Sequence, residues 1–553
     1  IAFSPTLLMI DRRTIIISLF VLILILGLGV RLYHLDYPVI GYHNMKEAHT
    51  LGEAYSMLND GELLVNKEMY SITFDNPTGA HMDNLPILSW INVGLWSLFG
   101  TQLWIARLVI ILFSLGAIIM SYFVVKKLFR RESIALLASF FMAICPMLIF
   151  FGRNVQYDMP ALFFMLLGVY FFLEWKQTPS HKNFLLAALF ITITILVKLP
   201  FMIILIPIAA IFPYHRLKFN DEFKKTYLKQ IIIGIIFILI IAGFMMYTKS
   251  IESTYNASPS IAAFEPSEFG KILTGDFWSA VFNYAITDNY TITWVIFTIL
   301  GVLLAIYTLW KKRTDIEKFI VVYALSYFIY ALFAPAQMMG HSYYQMPYAP
   351  LVIMSMLYLF TRIFDFLSIL KIRVSGSEIK YLSYIIILIL FIPTLFFVYN
   401  STAGQFNTQF YGLDIAGNYI NQHSQSNEII FESGHQDRGL AWQAKRYLIE
   451  FNNVSDIIKA ENEMNLSWFF VYQWGINQLL GNPDIRDHVY SNYSLKQIAY
   501  IKTAQGNQPI YFLFQKGGSF NESQINELLS NKQVQYKDYE FTSGSLRVEY
   551  INV

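Results

Sequence analysis

Long apolar runs recur along this chain from residue 14 to residue 399, and short polar segments separate them. A run of about 20 apolar residues is long enough to cross the hydrocarbon core of a bilayer as a helix. We therefore predict a polytopic α-helical membrane protein with about eleven transmembrane helices. The candidate spans are residues 14–33, 103–126, 133–151, 157–174, 183–197, 199–214, 229–248, 291–310, 318–334, 344–362 and 381–399.

The polar segments between the runs predict an orientation. Six polar segments are rich in Lys or Arg: one precedes the first span and five follow alternate spans. All six therefore fall on one face, which the positive-inside rule makes cytoplasmic. The first run lacks a small-residue cleavage site and is predicted to be retained. We expect an integral protein of the plasma or inner membrane with its amino terminus inside. The six segments are 11–13, 126–133, 176–182, 215–229, 311–315 and 362–373.

The residues after the last apolar run have the pattern of a soluble domain. Four short runs of β-branched and aromatic residues predict strands at 427–433, 467–473, 495–502 and 510–516. A helix is predicted at 521–531, and the last residues predict a hairpin that turns at Ser543-Gly544. We therefore divide the chain into a membrane domain, 1–400, with a first outer loop at 34–102 that carries surface helices. Residues 401–553 are predicted to form a small extracytoplasmic α/β domain.

Composition supports the membrane assignment and excludes some kinds of binding site. Hydrophobic residues make up 55% of the chain and charged residues only 14%, whereas soluble proteins carry about 25% charged residues. The single cysteine, Cys145, excludes an intrachain disulfide and a cysteine zinc site. The formal net charge of +2 gives no evidence for a nucleic-acid partner, and none is predicted.

Glu47 is the first ionisable candidate, because it lies close behind the first apolar run between His43 and His49. Asn44 and Glu47 have the spacing of a capping box, in which each side chain bonds the backbone amide of the other. An apolar stripe follows and predicts a short helix on the membrane surface. Spacing alone favours a helix cap over a catalytic carboxylate.

A second polar group occupies residues 74–90, just before another apolar helix. One interpretation is a loop that turns at Asn76-Pro77 and ends in a helix cap supplied by Asp83 or Asn84. The other interpretation is a substrate-binding segment. Its candidate residues are Asp75, His81, Asp83 and Asn84.

Two further groups lie at predicted outer ends of spans. Arg153 and Asp158 share a very short turn, where a surface ion pair is the alternative to a function. Lys198 separates two spans. One interpretation is that its side chain only extends the amine to the membrane interface, and the other is that the amine binds an anion. Ionisable residues at membrane depth are functional candidates by default.

His341, Tyr343 and Tyr344 open a later span. Interfacial aromatic residues are common anchors, but that role does not explain the histidine. A set of cations, carboxylates and aromatic rings at one depth would suit a lipid-borne phosphate that meets a hydroxyl acceptor. Cations bind the phosphate, a carboxylate accepts the proton, and aromatic faces suit sugar rings.

The order of these motifs resembles the dolichyl-phosphate-mannose protein mannosyltransferase-like family of GT-C membrane glycosyltransferases, which includes protein O-mannosyltransferases and the lipid A aminoarabinose transferase. The resemblance covers the first 350 residues and leaves out the soluble tail. Its elements here are Lys46-Glu47, Asn84-Leu85-Pro86-Ile87, "LFGTQLWIAR" (98–107), "GRNVQYD" (152–158), Lys198 and "HSYYQMPYAP" (341–350).

The resemblance implies a GT-C fold and roles for the candidates. Glu47 and Asp158 would be the catalytic carboxylates. Arg153, Lys198 and His341 would bind the donor phosphate. Asp75, His81, Asp83, Asn84, Tyr343 and Tyr344 would contact the substrates.

Two positions depart from the family pattern. Lys46 stands where the family has the first acid of an Asp-Glu pair, and Asn84 stands where it has a lysine. Asp75 or Asp83 could replace the missing acid, and His81 or His341 the missing cation. Because of these departures, a second interpretation stays open: the protein could be an inactive or divergent GT-C-like subunit that binds a partner protein or lipid without catalysis.

The implied reaction moves a sugar from a polyprenyl-phosphate donor to a hydroxyl of a protein, glycan or lipid at the outer face, with inversion. The partners would be this donor, membrane lipid and the acceptor, and residues 401–553 could bind a partner protein. No metal is required in principle, because the phosphate already departs readily. His43, His49 and His81 could form a metal site, but no ligand spacing is strong enough to predict one.

Overall fold

A computed structural model describes residues 11–70, 72–217, 227–257, 266–369 and 380–553. The chain forms two compact units. The first comprises Ile1–Leu35, Arg107–Phe244 and Ala262–Thr402, and the second comprises Asp36–Ala106, Met245–Ile261 and Ala403–Val553. Parts of the basic segments predicted at 215–229 and 362–373 lie outside the described residues.

Helices dominate the first unit and recur in the second. In chain order they are α1 (Arg12–Arg31), α2 (Asn44–Asp60), α3 (Ile87–Phe99), α4 (Leu103–Phe129), α5 (Glu132–Ile144), α6 (Pro146–Phe150), α7 (Asp158–Gln177), α8 (His181–Val197), α9 (Leu205–Ala210), α10 (Leu228–Tyr255), α11 (Gly275–Asn283), α12 (Ile292–Lys312), α13 (Asp315–Phe333), α14 (Pro335–Gly340), α15 (Ala349–Ile369), α16 (Lys380–Asn407), α17 (Leu413–His423), α18 (Gly439–Ala444), α19 (Val454–Glu463), α20 (Pro483–Asn492) and α21 (Ser523–Asn531).

Short turns of 3₁₀ or π helix and nine strands complete the described secondary structure. The helical turns are Leu199–Ile204, Tyr214–Leu217, Pro266–Leu273, Tyr284–Asn289, Ser342–Tyr348, His435–Asp437 and Ile476–Leu480. The strands are β1 (Asn66–Lys67), β2 (Ala80–His81), β3 (Ile429–Phe431), β4 (Leu448–Ile449), β5 (Leu466–Tyr472), β6 (Tyr493–Thr503), β7 (Gly506–Lys516), β8 (Gln535–Phe541) and β9 (Gly544–Asn552).

Seven helices of the described residues are long and apolar enough to cross a membrane. They are α1, α4, α7, α10, α12, α13 and the segment Ser342–Asp365. Each of the other predicted spans also contains helix, although 133–151 is divided at Cys145, where Pro146 starts α6. Proline suits a first helical position because the amide it lacks would have no intrahelical partner there. The protein is thus an integral membrane protein, and the number eleven remains a prediction.

Close helix packing in the first unit relies on small residues. Gly301 of α12 faces α15 so closely that a Cβ atom there would lie 2.0 Å from the carbonyl oxygen of Ser355. Gly168 of α7 similarly faces Ile191 of α8, at 2.7 Å. Small residues allow helix backbones to approach in a membrane, where apolar burial adds little attraction between helices.

The second unit contains a seven-stranded mixed sheet in the order β4-β3-β5-β7-β6-β9-β8. Strands β4, β3 and β5 are parallel, and the remaining neighbours are antiparallel. A core that includes Phe431, Phe469 and Phe514 packs beneath α19 and α20 through Ile457 and Val489. All three residues of β3 and six of the seven residues of β5 are buried, so these central strands are covered on both faces.

The predicted tail elements are confirmed with shifted boundaries. Strands β3, β5, β6 and β7 overlap the four predicted strands, and α21 overlaps the predicted helix. The hairpin turn lies one residue earlier than predicted, since Phe541 pairs with Gly544 around Thr542-Ser543. The division at residues 400 and 401 remains a prediction.

The first outer loop folds together with the tail in the second unit, which the sequence did not predict. The Leu448 amide at β4 donates to the Met69 carbonyl at 2.7 Å. Helix α2 packs against α3 and α18 and is buried along most of its length, including Leu51 and Ala54. The apolar stripe of α2 therefore faces the protein's own core, and the location of this helix on the membrane surface remains a prediction.

Candidate functional site

In the first unit, the structure brings Asp158 and Lys198 together. Asp158 begins α7 and its side chain is 2% exposed, while Lys198 directly follows the last residue of α8. The Lys198 Nζ lies 3.8 Å from Asp158 Oδ2. An amine and a carboxylate at this separation form a loose ion pair.

Aromatic rings cover the same lysine. The Lys198 Nζ lies 5.8 Å from the ring centroid of Tyr343 and 5.7 Å from that of Tyr344. His341 stacks on Tyr343 with centroids 5.2 Å apart. The separate predictions of Lys198, Asp158 and the 341–344 segment therefore meet at one location, which we call the lysine site.

Arg153 lies in the turn before α7 and is 6% exposed. Its Nη1 donates to the His34 carbonyl at 2.9 Å, and Arg107 Nη1 donates to the same carbonyl at 2.9 Å. Burial and these two guanidinium groups lower the pKa of His34 to about 4, so its imidazole is neutral. His34 was not among the residues predicted from the sequence. The available signal was a histidine that lies three positions after Arg31, the basic residue at the end of α1.

Glu47 lies in the second unit, in the first turn of α2, and is 3% exposed. The predicted cap is wrong, because the residue that precedes the helix is His43, in a left-handed conformation, and Asn44 is already helical. The Asn44 side chain instead accepts from the Gly439 amide at 2.7 Å and donates to the Gln436 carbonyl at 2.9 Å. Asn44 therefore secures α2 to the tail, and the capping box does not account for Glu47.

The loop that Asn44 contacts contains a second buried acid. The Ser433 hydroxyl donates to Asp437 Oδ2 at 2.8 Å, and Asp437 is fully buried. Burial raises the pKa of Asp437 to about 7, and the nearby Glu450 charge adds to this increase. Sequence analysis did not single out this residue.

The predicted substrate segment 74–90 divides between exposed and buried positions. Asp75 is exposed, whereas Asn84 is 6% exposed. Helix α3 starts after Pro86, which provides no side-chain cap, so neither Asp83 nor Asn84 has the predicted capping role. Asn76 does form the predicted turn, since its Oδ1 accepts from the Ala80 amide at 3.1 Å.

A compact cluster of histidines and carboxylates forms beside α2. His49, Glu53, His81 and Asp83 each offer one ligand atom, and these atoms all lie within 4.8 Å of one another. His43 is not part of this group. His49, His81 and Asp83 were candidate residues in the sequence, whereas Glu53 was not. The signal for Glu53 was its spacing of four residues from His49, which places both on one face of a helix.

The cluster changes the ionisation of its members. Burial alone lowers the pKa of His49, but the carboxylates of Glu68 and Glu53 outweigh burial and raise it to about 10. Burial alone raises the pKa of Glu53, but His49 and His81 outweigh it and lower that pKa. Without a bound cation, Glu53 is therefore ionised and His49 is protonated.

Residues 21–251 match the sequence profile of the family described as dolichyl-phosphate-mannose-protein mannosyltransferase. The match spans Glu47, Arg153, Asp158 and Lys198, and it confirms the resemblance for this part of the chain. No curated protein sequence matches the chain.

Solved structures of two membrane glycosyltransferases are similar to the whole chain. The oligosaccharyltransferase of Archaeoglobus fulgidus in complex with Zn and sulfate is 13% identical, with a TM-score of 0.58 over 95% of this chain and 79% of that one. The same protein in complex with an inhibitory peptide and a dolichol-phosphate is 13% identical, with a TM-score of 0.58 over 92% and 74%.

The second protein is ArnT from Cupriavidus metallidurans. Its apo state is 12% identical, with a TM-score of 0.55 over 91% of this chain and 98% of that one. Its complex with undecaprenyl phosphate is 12% identical, with a TM-score of 0.50 over 91% and 97%. Identities this low establish the fold alone, and they confirm the predicted GT-C fold with a C-terminal sheet domain.

Proposed function

We propose that this protein is a glycosyltransferase that moves a sugar from a polyprenyl-phosphate donor to a hydroxyl acceptor at the outer face of the membrane. The observation that carries the proposal is the lysine site, where Lys198 lies beside Asp158 and under the rings of Tyr343 and Tyr344. A buried cation beside aromatic faces and a carboxylate suits a phosphate joined to a sugar.

The comparisons support this class of donor. The Archaeoglobus protein binds a dolichol-phosphate and ArnT binds undecaprenyl phosphate, and both are polyprenyl phosphates. The matching family is itself described by a dolichyl-phosphate sugar. Because a Zn-containing structure exists for the archaeal protein, a divalent cation is also a candidate component here.

The proposed reaction is a displacement at the anomeric carbon of the donor sugar. The acceptor oxygen attacks the anomeric carbon, the bond from that carbon to the phosphate oxygen breaks, and the phosphate leaves with the electron pair. In this proposal Glu47 is the general base that takes the hydroxyl proton, and Asp158 orients the acceptor or shares that role. Attack opposite the phosphate inverts the anomeric configuration. Lys198, Arg153 and His341 stabilise the charge that develops on the phosphate.

The test is transfer from a panel of polyprenyl-phosphate sugars by the full chain in detergent, with donor binding measured separately. We expect one donor to be consumed, and we expect Glu47→Gln and Asp158→Asn to reduce turnover by at least about 100-fold while donor still binds. The matched controls are Glu62→Gln, an exposed carboxylate paired with Lys67, and Asp315→Asn, which is paired with Lys176. Both controls should retain turnover.

The outcomes separate an enzyme from a non-catalytic subunit. A wild-type chain that binds the donor but never transfers its sugar would favour the divergent subunit that Lys46 and Asn84 keep open. Failure to bind any polyprenyl phosphate would contradict the proposal altogether. Full turnover by Glu47→Gln would assign the proton transfer to Asp158.

A further inference from the structure

The His49 cluster has a geometry that the proposed transfer reaction does not use. The His49 Nε2 lies 2.9 Å from Glu53 Oε1, and the His81 Nε2 lies 3.3 Å from the same oxygen. The Asp83 Oδ1 lies 3.8 Å from His81 Nε2. Four ligands bound about 2.0–2.1 Å from a tetrahedral zinc ion are separated from one another by about 3.3 Å. The three distances of 2.9, 3.3 and 3.8 Å lie on either side of this value.

We propose that His49, Glu53, His81 and Asp83 bind one divalent transition-metal ion, for which zinc is the best match. Two imidazoles and two carboxylates are a donor set that suits zinc better than magnesium or calcium, which prefer oxygen ligands alone. The site does not depend on the transfer reaction, so each can fail without the other.

The hydrogen bonds around His81 orient it for a cation. Its Nδ1 lies 3.2 Å from the Gly79 carbonyl oxygen, which can only accept, so the Nδ1 proton is placed there. In the neutral ring, Nε2 then presents a lone pair toward Glu53 and Asp83. Within the described residues, His81 Nε2 and Asp83 Oδ1 are buried atoms without a hydrogen bond. A metal ion would satisfy both atoms at once.

The other ligands have the supporting contacts that metal sites use. His49 Nδ1 bonds the carboxylate of Glu68, in the arrangement by which a carboxylate orients a metal-bound histidine. The Ser89 hydroxyl donates to Glu53 Oε2 at 3.1 Å, and the Asn66 amide donates to Glu53 Oε1 at 2.9 Å. These partners fix the ligand side chains before a cation binds.

A metal at this position would connect segments that are separate in the sequence. His49 and Glu53 lie on α2, whereas His81 and Asp83 belong to the end of the β1–β2 ribbon, where Asn66 pairs with His81. The ion would therefore hold the ribbon onto the helix that carries Glu47 in its first turn.

The experiment measures metal in the purified full chain. The protein is produced with a histidine-free affinity tag in zinc-supplemented medium, dialysed against metal-free buffer in detergent, and analysed by mass spectrometry of the elements. We expect about one zinc per chain in wild type and a loss of at least about tenfold in His49→Asn and His81→Asn. Glu68→Gln, which removes only a supporting contact, should weaken zinc binding about 10- to 100-fold.

The matched controls are His488→Gln, whose Nε2 pairs with Glu461 at 2.7 Å, and His423→Gln, which is exposed. Both should retain the metal. Two further measurements use the wild-type protein alone. Chelation of the metal should lower the Tm, and added zinc should restore it. Substitution of cobalt for zinc should give the visible absorption spectrum of a tetrahedral cobalt site.

Two results would overturn the proposal. One is a wild-type chain that holds no zinc and takes up neither zinc nor cobalt, which would make the cluster a buried ion-pair network. The other is zinc that remains in both His49→Asn and His81→Asn. A variant that fails to fold is recognised by gel filtration, and the chelation measurement on wild type then decides.

Discussion

Lys198 and Asp158 form a 3.8 Å ion pair although 40 positions separate them in the sequence. The pair joins the end of α8 to the start of α7, and both side chains are largely buried. Its geometry makes Lys198 the cation most directly linked to a catalytic carboxylate candidate.

Lys198→Met should therefore weaken donor binding. A charged contact to a phosphate contributes about 1.5–3 kcal/mol, so we expect the KM for the donor to rise about 10- to 100-fold. The matched control is Lys127→Met, which breaks a 2.7 Å pair with Glu174 away from the lysine site. Equal losses in both variants would show that the effect is a general loss of stability.

Asn44→Ala should destabilise the second unit. The change leaves the Gly439 amide and the Gln436 carbonyl without their side-chain partner in a buried place, and each such loss costs about 1–3 kcal/mol. We expect a clear decrease in Tm, which is measured by tryptophan fluorescence during heating. Asn421→Ala, at an exposed position of α17, is the control and should leave Tm unchanged.

Asp437 makes the stability of the second unit depend on pH. Its folded-state pKa is raised to about 7, above its ordinary value, so the folded state retains a proton that the unfolded state releases. The neutral carboxyl therefore stabilises the fold at low pH, and this contribution is lost as pH rises from about 4 to about 7.

Asp437→Asn should remove this dependence. The amide keeps an acceptor for Ser433 and is neutral at every pH, so the variant should gain Tm relative to wild type at pH 8 and match it near pH 4. Glu432, Glu450 and Tyr472 also face this carboxyl, and the Asp437 charge is one cause of the raised pKa of Glu432. The difference between the two Tm profiles therefore reports Asp437 together with its coupling to Glu432. A constant difference across pH would contradict the assignment.

Gly301→Val should disrupt the packing of α12 on α15. A Cβ at this position would lie 2.0 Å from the Ser355 carbonyl oxygen, so the helices must separate. We expect a loss of several degrees in Tm and less monodisperse protein, since overpacking costs about 1–3 kcal/mol. Gly243→Val, in α10, meets nothing within 4 Å and should be tolerated.

Much of the architecture was readable from the sequence because membrane insertion imposes a simple pattern. A chain in hydrocarbon must satisfy its backbone hydrogen bonds internally, so each long apolar run folds as helix. The tail strands were equally visible, since runs such as 467–473 combine β-branched and aromatic residues between turns. Residue order also indicated that Asp158, Lys198 and Tyr343 lie at the ends of spans.

Other features depended on contacts between distant segments. The Asn44-to-Glu47 spacing is typical of a capping box, yet tertiary contacts with Gln436 and Gly439 take the Asn44 side chain. No local pattern could reveal this, because the partners lie about 390 positions away. The same applies to α2, whose apolar stripe predicts an amphipathic helix without stating what covers it.

The sequence by itself determined a helical membrane protein with a mixed α/β tail, and it identified the residue types of the proposed phosphate-sugar site. Only the tertiary structure decided that Glu53 joins His49, His81 and Asp83, and that Lys198 meets Asp158 under two tyrosine rings. The physical reason is that hydropathy and periodicity are local properties, whereas a binding site is set by side chains that packing brings together from separate segments.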